Sequence, residues 1–251
     1  MRLLLSALPV LLCATLAQGA AHAAEAQVAV AANFAEPMKA IAAVLQKTTG
    51  HTLKVTLGST GKLYAQISNG APFDMLLAAD TKIPEKLEAD GQAVTGSRFT
   101  YATGKLVLWS AKAGRVDNKG DVLKAADLGK VAYAAPKVAP YGAAAVEAMD
   151  KLGVSAALAP RLVQGESIGQ TFNFVYTGNA DVGFVALSQV LEGSKLKGGS
   201  MWIVPPNLYS PIRQDAVVLK RGASNEAVRA LVQLLKSPNI KALIRSYGYE
   251  I

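Results

Sequence analysis

The stretch QVAVAANFAEPMKAIAAVL, from Gln27 to Leu45, decides the fold. Its first six residues form a short apolar run of the kind found in buried strands. The rest spaces its larger apolar side chains by four, three and four residues, as one face of a helix requires. These side chains are Phe34, Met38, Ile41 and Leu45. The stretch therefore predicts a strand followed directly by an amphipathic helix.

The same alternation of strand and helix recurs along the chain. Apolar runs predict strands at 51–57, 75–78, 101–110, 131–135, 162–163 and 182–186. Amphipathic segments predict helices at 61–69, 83–89, 143–152 and 168–177. Alternation of this kind is typical of α/β proteins whose sheets are mostly parallel.

The alternation is interrupted twice, around 101–108 and around 209–218. At both places extended apolar segments follow one another without an obvious helix between them, as happens where a chain passes from one lobe to another. Two crossings predict a discontinuous first lobe, residues 24–103 and 212–251, and a continuous second lobe, residues 104–211.

The first 23 residues have the features of a secretory signal peptide. Arg2 gives a positive start, residues 3–17 are largely apolar, and Ala21-His22-Ala23 supplies small residues for cleavage after Ala23. The apolar run is shorter than the roughly 20 residues of a membrane-spanning helix. Cys13 follows a leucine rather than the small residue that precedes a lipid-modified cysteine. We therefore expect a soluble, exported, periplasmic protein.

Composition excludes several classes of protein. With 51% hydrophobic and 18% charged residues, the 251-residue chain can build a packed core. After cleavage it keeps no cysteine and a single histidine, His51, so a zinc site or a disulfide framework is not expected. The net charge falls from +8 to +7 because Arg2 leaves with the signal. A basic surface can favour nucleic acid, acidic lipid or small anions, and the dispersed Lys and Arg disfavour nucleic acid among them.

Four predicted junctions between a strand and a helix carry small or hydroxyl-bearing residues. They are Ala32-Asn33, Gly58 to Gly61, Pro140 to Gly142, and Glu166 to Gly169. Each places unpaired backbone N–H groups and the positive end of a helix dipole at the carboxyl end of a strand, where anions bind. Any one of them could be only a helix cap, with Asn33, Thr60 or Ser167 as the capping residue. Together they predict an anion site.

Two enzymatic motifs in the sequence are incomplete. Gly165 to Gly169 matches the G-x-S-x-G nucleophile elbow, but no histidine follows Ser167 to serve as its base. Gly58 to Lys62 resembles the end of a phosphate-binding loop, but Thr56 stands where the first glycine should be. Lys62 is then a solvated charge or a weak electrostatic attraction near a cleft. We expect no enzymatic activity and no cofactor, although a hydrolase using carboxylates such as Asp74 or Asp181 stays open as an alternative.

The assembled segments resemble one family. VAVAANF (Val28 to Phe34), GSTGKLYAQISNGAPFDMLLAAD (Gly58 to Asp80), APYGAAAVEAM (Ala139 to Met149), GESIGQTFNFVYTGNADVGFVALS (Gly165 to Ser188) and RSYGYEI (Arg245 to Ile251) occur in order over essentially the whole mature chain. They are similar to the periplasmic molybdate-binding proteins of bacterial ABC importers. The resemblance implies a class II periplasmic-binding fold, in which two α/β lobes close over a ligand in the cleft between them.

The resemblance also implies how the ligand is held. A tetrahedral oxyanion, molybdate or tungstate, would receive hydrogen bonds from neutral donors and be delivered to a membrane permease by a monomeric receptor. The implied contacts are Asn33 with the Ala32 and Asn33 backbone, Thr60, Tyr141 and the Ile168 amide, with Ser59 and Ser167 adjacent. Some family members supply a phenolic hydroxyl from the position of Ala186, which cannot donate one. A receptor for sulfate or phosphate is the alternative within the same class.

Overall fold

The structure is a computed structural model that describes residues 23–251, so the predicted signal peptide lies outside the described residues except for Ala23. Its strands and helices alternate along most of the chain. In chain order they are β1 (Glu25–Ala31), α1 (Ala35–Thr49), β2 (Thr52–Gly58), α2 (Thr60–Ser68), β3 (Met75–Leu77), α3 (Lys82–Ala89), β4 (Phe99–Gly104), β5 (Leu106–Ser110), β6 (Val131–Ala134), α4 (Pro140–Lys151), α5 (Ser155–Leu158), β7 (Leu162–Gly165), α6 (Ile168–Tyr176), β8 (Val182–Ala186), α7 (Leu187–Val190), β9 (Leu191–Glu192), β10 (Lys195–Leu196), β11 (Ser200–Ile203), β12 (Ile212–Val218), α8 (Glu226–Lys236) and α9 (Pro238–Ser246).

Two five-stranded sheets form the centres of two lobes. The first has the strand order β2-β1-β3-β12-β4, and the second has the order β11-β5-β8-β6-β7. In the first sheet only β12 runs against the other four strands, and in the second only β5 does. The predicted fold class, two α/β lobes with mostly parallel sheets, is confirmed.

Helices cover both faces of each sheet, which explains why the central strands are apolar at successive positions. In β1, Val28 and Val30 pack with α1, α8 and α9, whereas Ala29 between them packs with α2 and α3. In β8, Phe184 packs in the cluster that contains α4, and Val185 packs in the cluster that contains α6. The period-2 alternation of a strand thus supplies two hydrophobic cores per lobe.

The chain passes between the sheets at two closely spaced places. Only Lys105 separates β4 of the first sheet from β5 of the second, and residues 204–211 lead from β11 back to β12. The C-terminal segment lies beside the first crossing, where Thr103 and Glu250 exchange backbone hydrogen bonds. The lobe boundaries given above stay predictions of which residues move as rigid bodies.

None of the helices within residues 23–251 combines the length and the apolar character needed to cross a membrane.

Candidate functional site

A small cavity lies between the two lobes at the carboxyl ends of their parallel strands. Its volume is about 10 Å³, and it is lined by Ala31, Ala32, Asn33, Gly58, Ser59, Thr60 and Ala79 of the first lobe and by Ala139, Pro140, Tyr141 and Ile168 of the second. Of the residues named from the sequence as contacts or as adjacent to them, all but Ser167 line the cavity. Ligands of open α/β sheets collect at this end of the strands.

Each predicted junction delivers a helix start to the cavity. A short 3-10 turn, Ala32–Phe34, follows β1, and the longer helices α2, α4 and α6 begin at Thr60, Pro140 and Ile168. The first backbone N–H groups of a helix have no partner within it, so they can bond to a ligand. One of these N–H groups forms a bond between the lobes, since Gly61 N donates to the Val138 carbonyl at 2.9 Å.

The residues suggested as helix caps differ in what they do. The Ser167 side chain caps α6 by accepting from Gln170 N at 3.2 Å. Ser59 holds the cap position of α2 but makes no side-chain cap bond. Its hydroxyl is buried and finds no hydrogen-bond partner among the described residues. The Ser59 hydroxyl is therefore available to a ligand as donor and as acceptor, whereas the Ser167 oxygen already accepts one bond and keeps its hydrogen for donation.

Thr60 is fully buried and its hydroxyl oxygen accepts a hydrogen bond from Ala79 N at 2.9 Å. Accepting that bond fixes the side chain and leaves the hydroxyl hydrogen available for donation. Because Ala79 follows β3 and Thr60 begins α2, this bond ties together two adjacent walls of the cavity. Thr60 is thus a preorganised neutral donor.

Asn33 is 2% exposed, and its side chain is fixed by hydrogen bonds to two buried side chains that do not line the cavity. Its Nδ2 donates to Gln214 Oε1 at 2.8 Å and to the Tyr249 hydroxyl at 2.9 Å, which occupies both amide hydrogens. Its Oδ1 is buried and unpartnered among the described residues. The Asn33 carbonyl accepts from Ser188 Oγ of the second lobe at 2.7 Å. Neither Gln214 nor Tyr249 was predicted from the sequence as a neighbour of this site.

The hydroxyl of Tyr141 points toward the crossings. It accepts from Gln214 Nε2 at 3.2 Å. A Cβ at position 104 would lie 1.9 Å from it, so the close approach requires Gly104. Burial raises the pKa of the Tyr141 hydroxyl well above its ordinary value, which keeps it protonated and able to donate. Tyr141 thus places its hydroxyl in a buried polar network, while the first turn of α4 borders the cavity.

The eleven residues that line the cavity carry no charged side chain. Ionic groups lie around it instead. Lys62 of the first lobe pairs with Glu166 of the second across the cleft, and this pairing lowers the pKa of Glu166. The lysine that the sequence suggested to be a solvated charge or a weak attraction is therefore an interlobe contact. Desolvation raises the pKa of Asp80, which directly follows the cavity wall at Ala79.

The carboxylates considered for hydrolysis are engaged elsewhere. Asp74 accepts from Arg221 Nε at 3.0 Å and from Gln27 N at 2.7 Å in the first lobe. Asp181 pairs with Arg115 at 2.6 Å in the second lobe. Neither residue lines the cavity. The two carboxylates do not form a catalytic pair.

Comparison with known proteins agrees with this geometry. The family described as bacterial extracellular solute-binding protein matches residues 26–250. The chain is 57% identical to the molybdate-binding protein ModA of Azotobacter vinelandii over 245 residues, which is 98% of this chain and 97% of the relative. It is 55% identical to the ModA protein of Rhodobacter capsulatus over 229 residues, which is 91% of this chain and 89% of the relative. The solved structure of an Azotobacter vinelandii periplasmic molybdate-binding protein superposes with a TM-score of 0.85 at 42% identity, covering 90% of this chain and 99% of that one.

Proposed function

The chain belongs to the bacterial extracellular solute-binding proteins and, within them, to the molybdate-binding proteins, and on that premise we propose that it is the receptor of a molybdate importer. It binds molybdate, and tungstate by the same chemistry, in the cavity between its lobes. The contacts are the Ala32 and Asn33 backbone, the Asn33 side chain, Ser59, Thr60, Tyr141 and the Ile168 amide. Their identity as ligand contacts is part of the proposal.

One observation carries the proposal: the cavity is lined only by neutral groups, several of them at helix starts. A buried dianion without counter-charge is costly, so its oxygens need hydrogen-bond donors. Hydrogen bonds to a charged group contribute roughly 1.5–3 kcal/mol each, so several of them can offset the desolvation. The dipoles of α2, α4 and α6 add favourable partial charge at the same point.

Neutral donors also give selectivity. Molybdate and tungstate are fully deprotonated at neutral pH and accept hydrogen bonds on every oxygen, whereas hydrogen phosphate carries a proton that needs an acceptor. Sulfate has the same charge but is smaller, so it is excluded only if the closed lobes fix the cavity radius. The interlobe bond from Gly61 N to the Val138 carbonyl supports such a fixed closed geometry.

Binding without turnover fits a transport receptor. We infer that the chain is exported by its N-terminal signal, works as a monomer in the periplasm, and presents its closed form to a membrane permease. Closure brings Lys62 and Glu166 together across the cleft. The surface that the permease meets therefore differs between the open and closed forms.

Titration calorimetry of the mature protein with molybdate, tungstate, sulfate and phosphate tests the proposal. We expect tight binding of the first two and weak or undetectable binding of the others. Tight sulfate binding with no molybdate response would instead assign a sulfate receptor. Hydrolytic turnover of an ester substrate by the same preparation would contradict a receptor without catalysis.

A further inference from the structure

A cluster of polar side chains lies directly behind Asn33, where the chain crosses between lobes. We call it the hinge cluster, and its members are Tyr101, Tyr141, Gln214 and Tyr249. Each is at most 5% exposed. Tyr101, Gln214 and Tyr249 belong to the first lobe and Tyr141 to the second. The cluster is therefore a buried polar connection between the lobes that includes one residue of the proposed site, Tyr141, and contacts another, Asn33.

Gln214 occupies the centre of the hinge cluster. Its Oε1 accepts from Asn33 Nδ2 at 2.8 Å and lies 3.0 Å from the Tyr101 hydroxyl, while its Nε2 donates to the Tyr141 hydroxyl at 3.2 Å. Tyr101 can also donate to the Ala78 carbonyl at 2.9 Å. One amide side chain thus joins a site residue of the first lobe to a site residue of the second.

Matching donors to acceptors couples the two amides. If the side-chain amide of Asn33 alone rotated by half a turn, its Oδ1 would face Gln214 Oε1, and two hydrogen-bond acceptors would lie against each other. If Gln214 alone turned over, two NH2 groups would meet. The side-chain amides of Asn33 and Gln214 can therefore exchange their oxygen and NH2 positions only together, which gives a reversed arrangement. In the reversed arrangement Tyr141 donates to Gln214 Oε1, Gln214 Nε2 donates to Asn33 Oδ1, and the Asn33 NH2 is free to face the cavity.

In the reversed arrangement the amide groups of Asn33 and Gln214 all have hydrogen-bond partners when an oxyanion accepts from the Asn33 NH2. This arrangement also satisfies Asn33 Oδ1, the buried oxygen that finds none among the described residues. Hydrogen bonds that point the same way along a chain polarise one another in a low-dielectric interior. A dianion at the end of the chain favours that common direction.

We propose that Gln214 is a positioning residue that couples the Tyr141 hydroxyl of the second lobe to Asn33, so that Tyr141 acts on the bound oxyanion through Gln214 and Asn33. This rests on the proposed function, because it concerns the same oxyanion site. It changes the role of Tyr141, whose hydroxyl the family resemblance assigned to the oxyanion itself. The Gln214 side chain forms its hydrogen bonds with other side chains and not with the ligand, yet it determines which end of the Asn33 amide the ligand meets.

The test measures the effect of Tyr141→Phe on molybdate affinity in three backgrounds: unsubstituted, Asn33→Ala and Gln214→Met. We expect about a tenfold loss in the unsubstituted protein and less than about a twofold loss in the other two, because the coupling is already broken there. The same factor in all three backgrounds would mean direct contact and would overturn the proposal. Tyr209→Phe is the matched control. Its buried hydroxyl accepts from Leu106 N at 3.1 Å outside the cluster, so its effect stays the same in every background.

The test stays decisive if one variant does not fold. If Gln214→Met does not fold, the Asn33→Ala background decides alone, since it retains Gln214. In the unsubstituted protein, nuclear Overhauser contacts of the Gln214 side-chain NH2 are expected to move from the Tyr141 ring to the Tyr101 ring at molybdate saturation. Persistence of the Tyr141 contact would contradict the coupling while molybdate binding itself is intact. Absence of molybdate binding by the unsubstituted protein would instead be the failure of the proposed function.

Discussion

Thr60 offers the most direct test of the neutral-donor site, because its hydroxyl can form two hydrogen bonds with different effects, one on stability and one on binding. The oxygen accepts from Ala79 N at 2.9 Å, and the hydrogen is available to a ligand. Thr60→Val keeps nearly the same side-chain shape and removes both hydrogen bonds. Thr60→Ser keeps the hydroxyl and removes only a methyl group, so it is the matched control.

The expected sizes follow from burial. Thr60 is 0% exposed, so Thr60→Val leaves the Ala79 N–H without an acceptor, at a cost of about 1–3 kcal/mol in the free energy of unfolding. Binding loses one hydrogen bond to a charged acceptor, about 1.5–3 kcal/mol, or about 10- to 150-fold in the dissociation constant. For Thr60→Ser we expect a loss of about 1 kcal/mol of stability from the deleted methyl group, with molybdate affinity within about threefold of the parent.

Calorimetric titration with molybdate gives the affinity, and chemical denaturation without ligand gives the stability. The two losses should appear together in Thr60→Val, while Thr60→Ser should keep its affinity. If Thr60→Val binds molybdate within about twofold of the parent, Thr60 is not a ligand donor, whatever its stability. If its stability is also unchanged, the bond to Ala79 is wrong as well.

Three further substitutions probe the surroundings of the cavity. Gly61→Ala places a Cβ 3.0 Å from the opposite lobe, so we expect weaker molybdate binding by calorimetry with little change in stability; Gly198→Ala, whose added Cβ meets nothing within 4 Å, is the control. Lys62→Ala removes the exposed ion pair with Glu166, so the dissociation rate measured by stopped flow should rise by no more than about fivefold, and the difference should vanish at high salt. Asp80→Asn should stabilise the protein at pH 7, because burial raises the pKa of the Asp80 carboxyl in the folded state and the folded protein therefore loses stability as pH rises through that pKa. The gain, measured by denaturation, should shrink as pH falls toward the unfolded-state value.

The parts of the fold that the sequence predicted are those with a local signal. The alternation of β1 and α1 is visible within Gln27 to Leu45, because burial on both sheet faces makes the strand apolar throughout. The helix starts at Thr60 and Ile168 follow from small and hydroxyl-bearing residues after strands. Each of these features depends on residues within a few positions of one another.

The network behind the site has no such signal. Gln214 meets Asn33 across 181 positions and Tyr141 across 73, and β12 was interpreted only as a crossing segment. A single amide inside the run IRQDAVV, Ile212 to Val218, was the available clue, since a buried polar side chain needs a partner. The ion pair of Lys62 has no local signal for the same reason, because its partner Glu166 is 104 positions away.

The placement of β12 between β3 and β4 bears on how the protein is made. Synthesis from the N-terminus delivers residues 212–218 near the end, so the first sheet cannot be completed until almost all of the chain has been made. The second sheet uses only β5 to β8 and β11, a continuous stretch that can assemble earlier. Folding is therefore expected to begin in the second lobe, before the first sheet is complete.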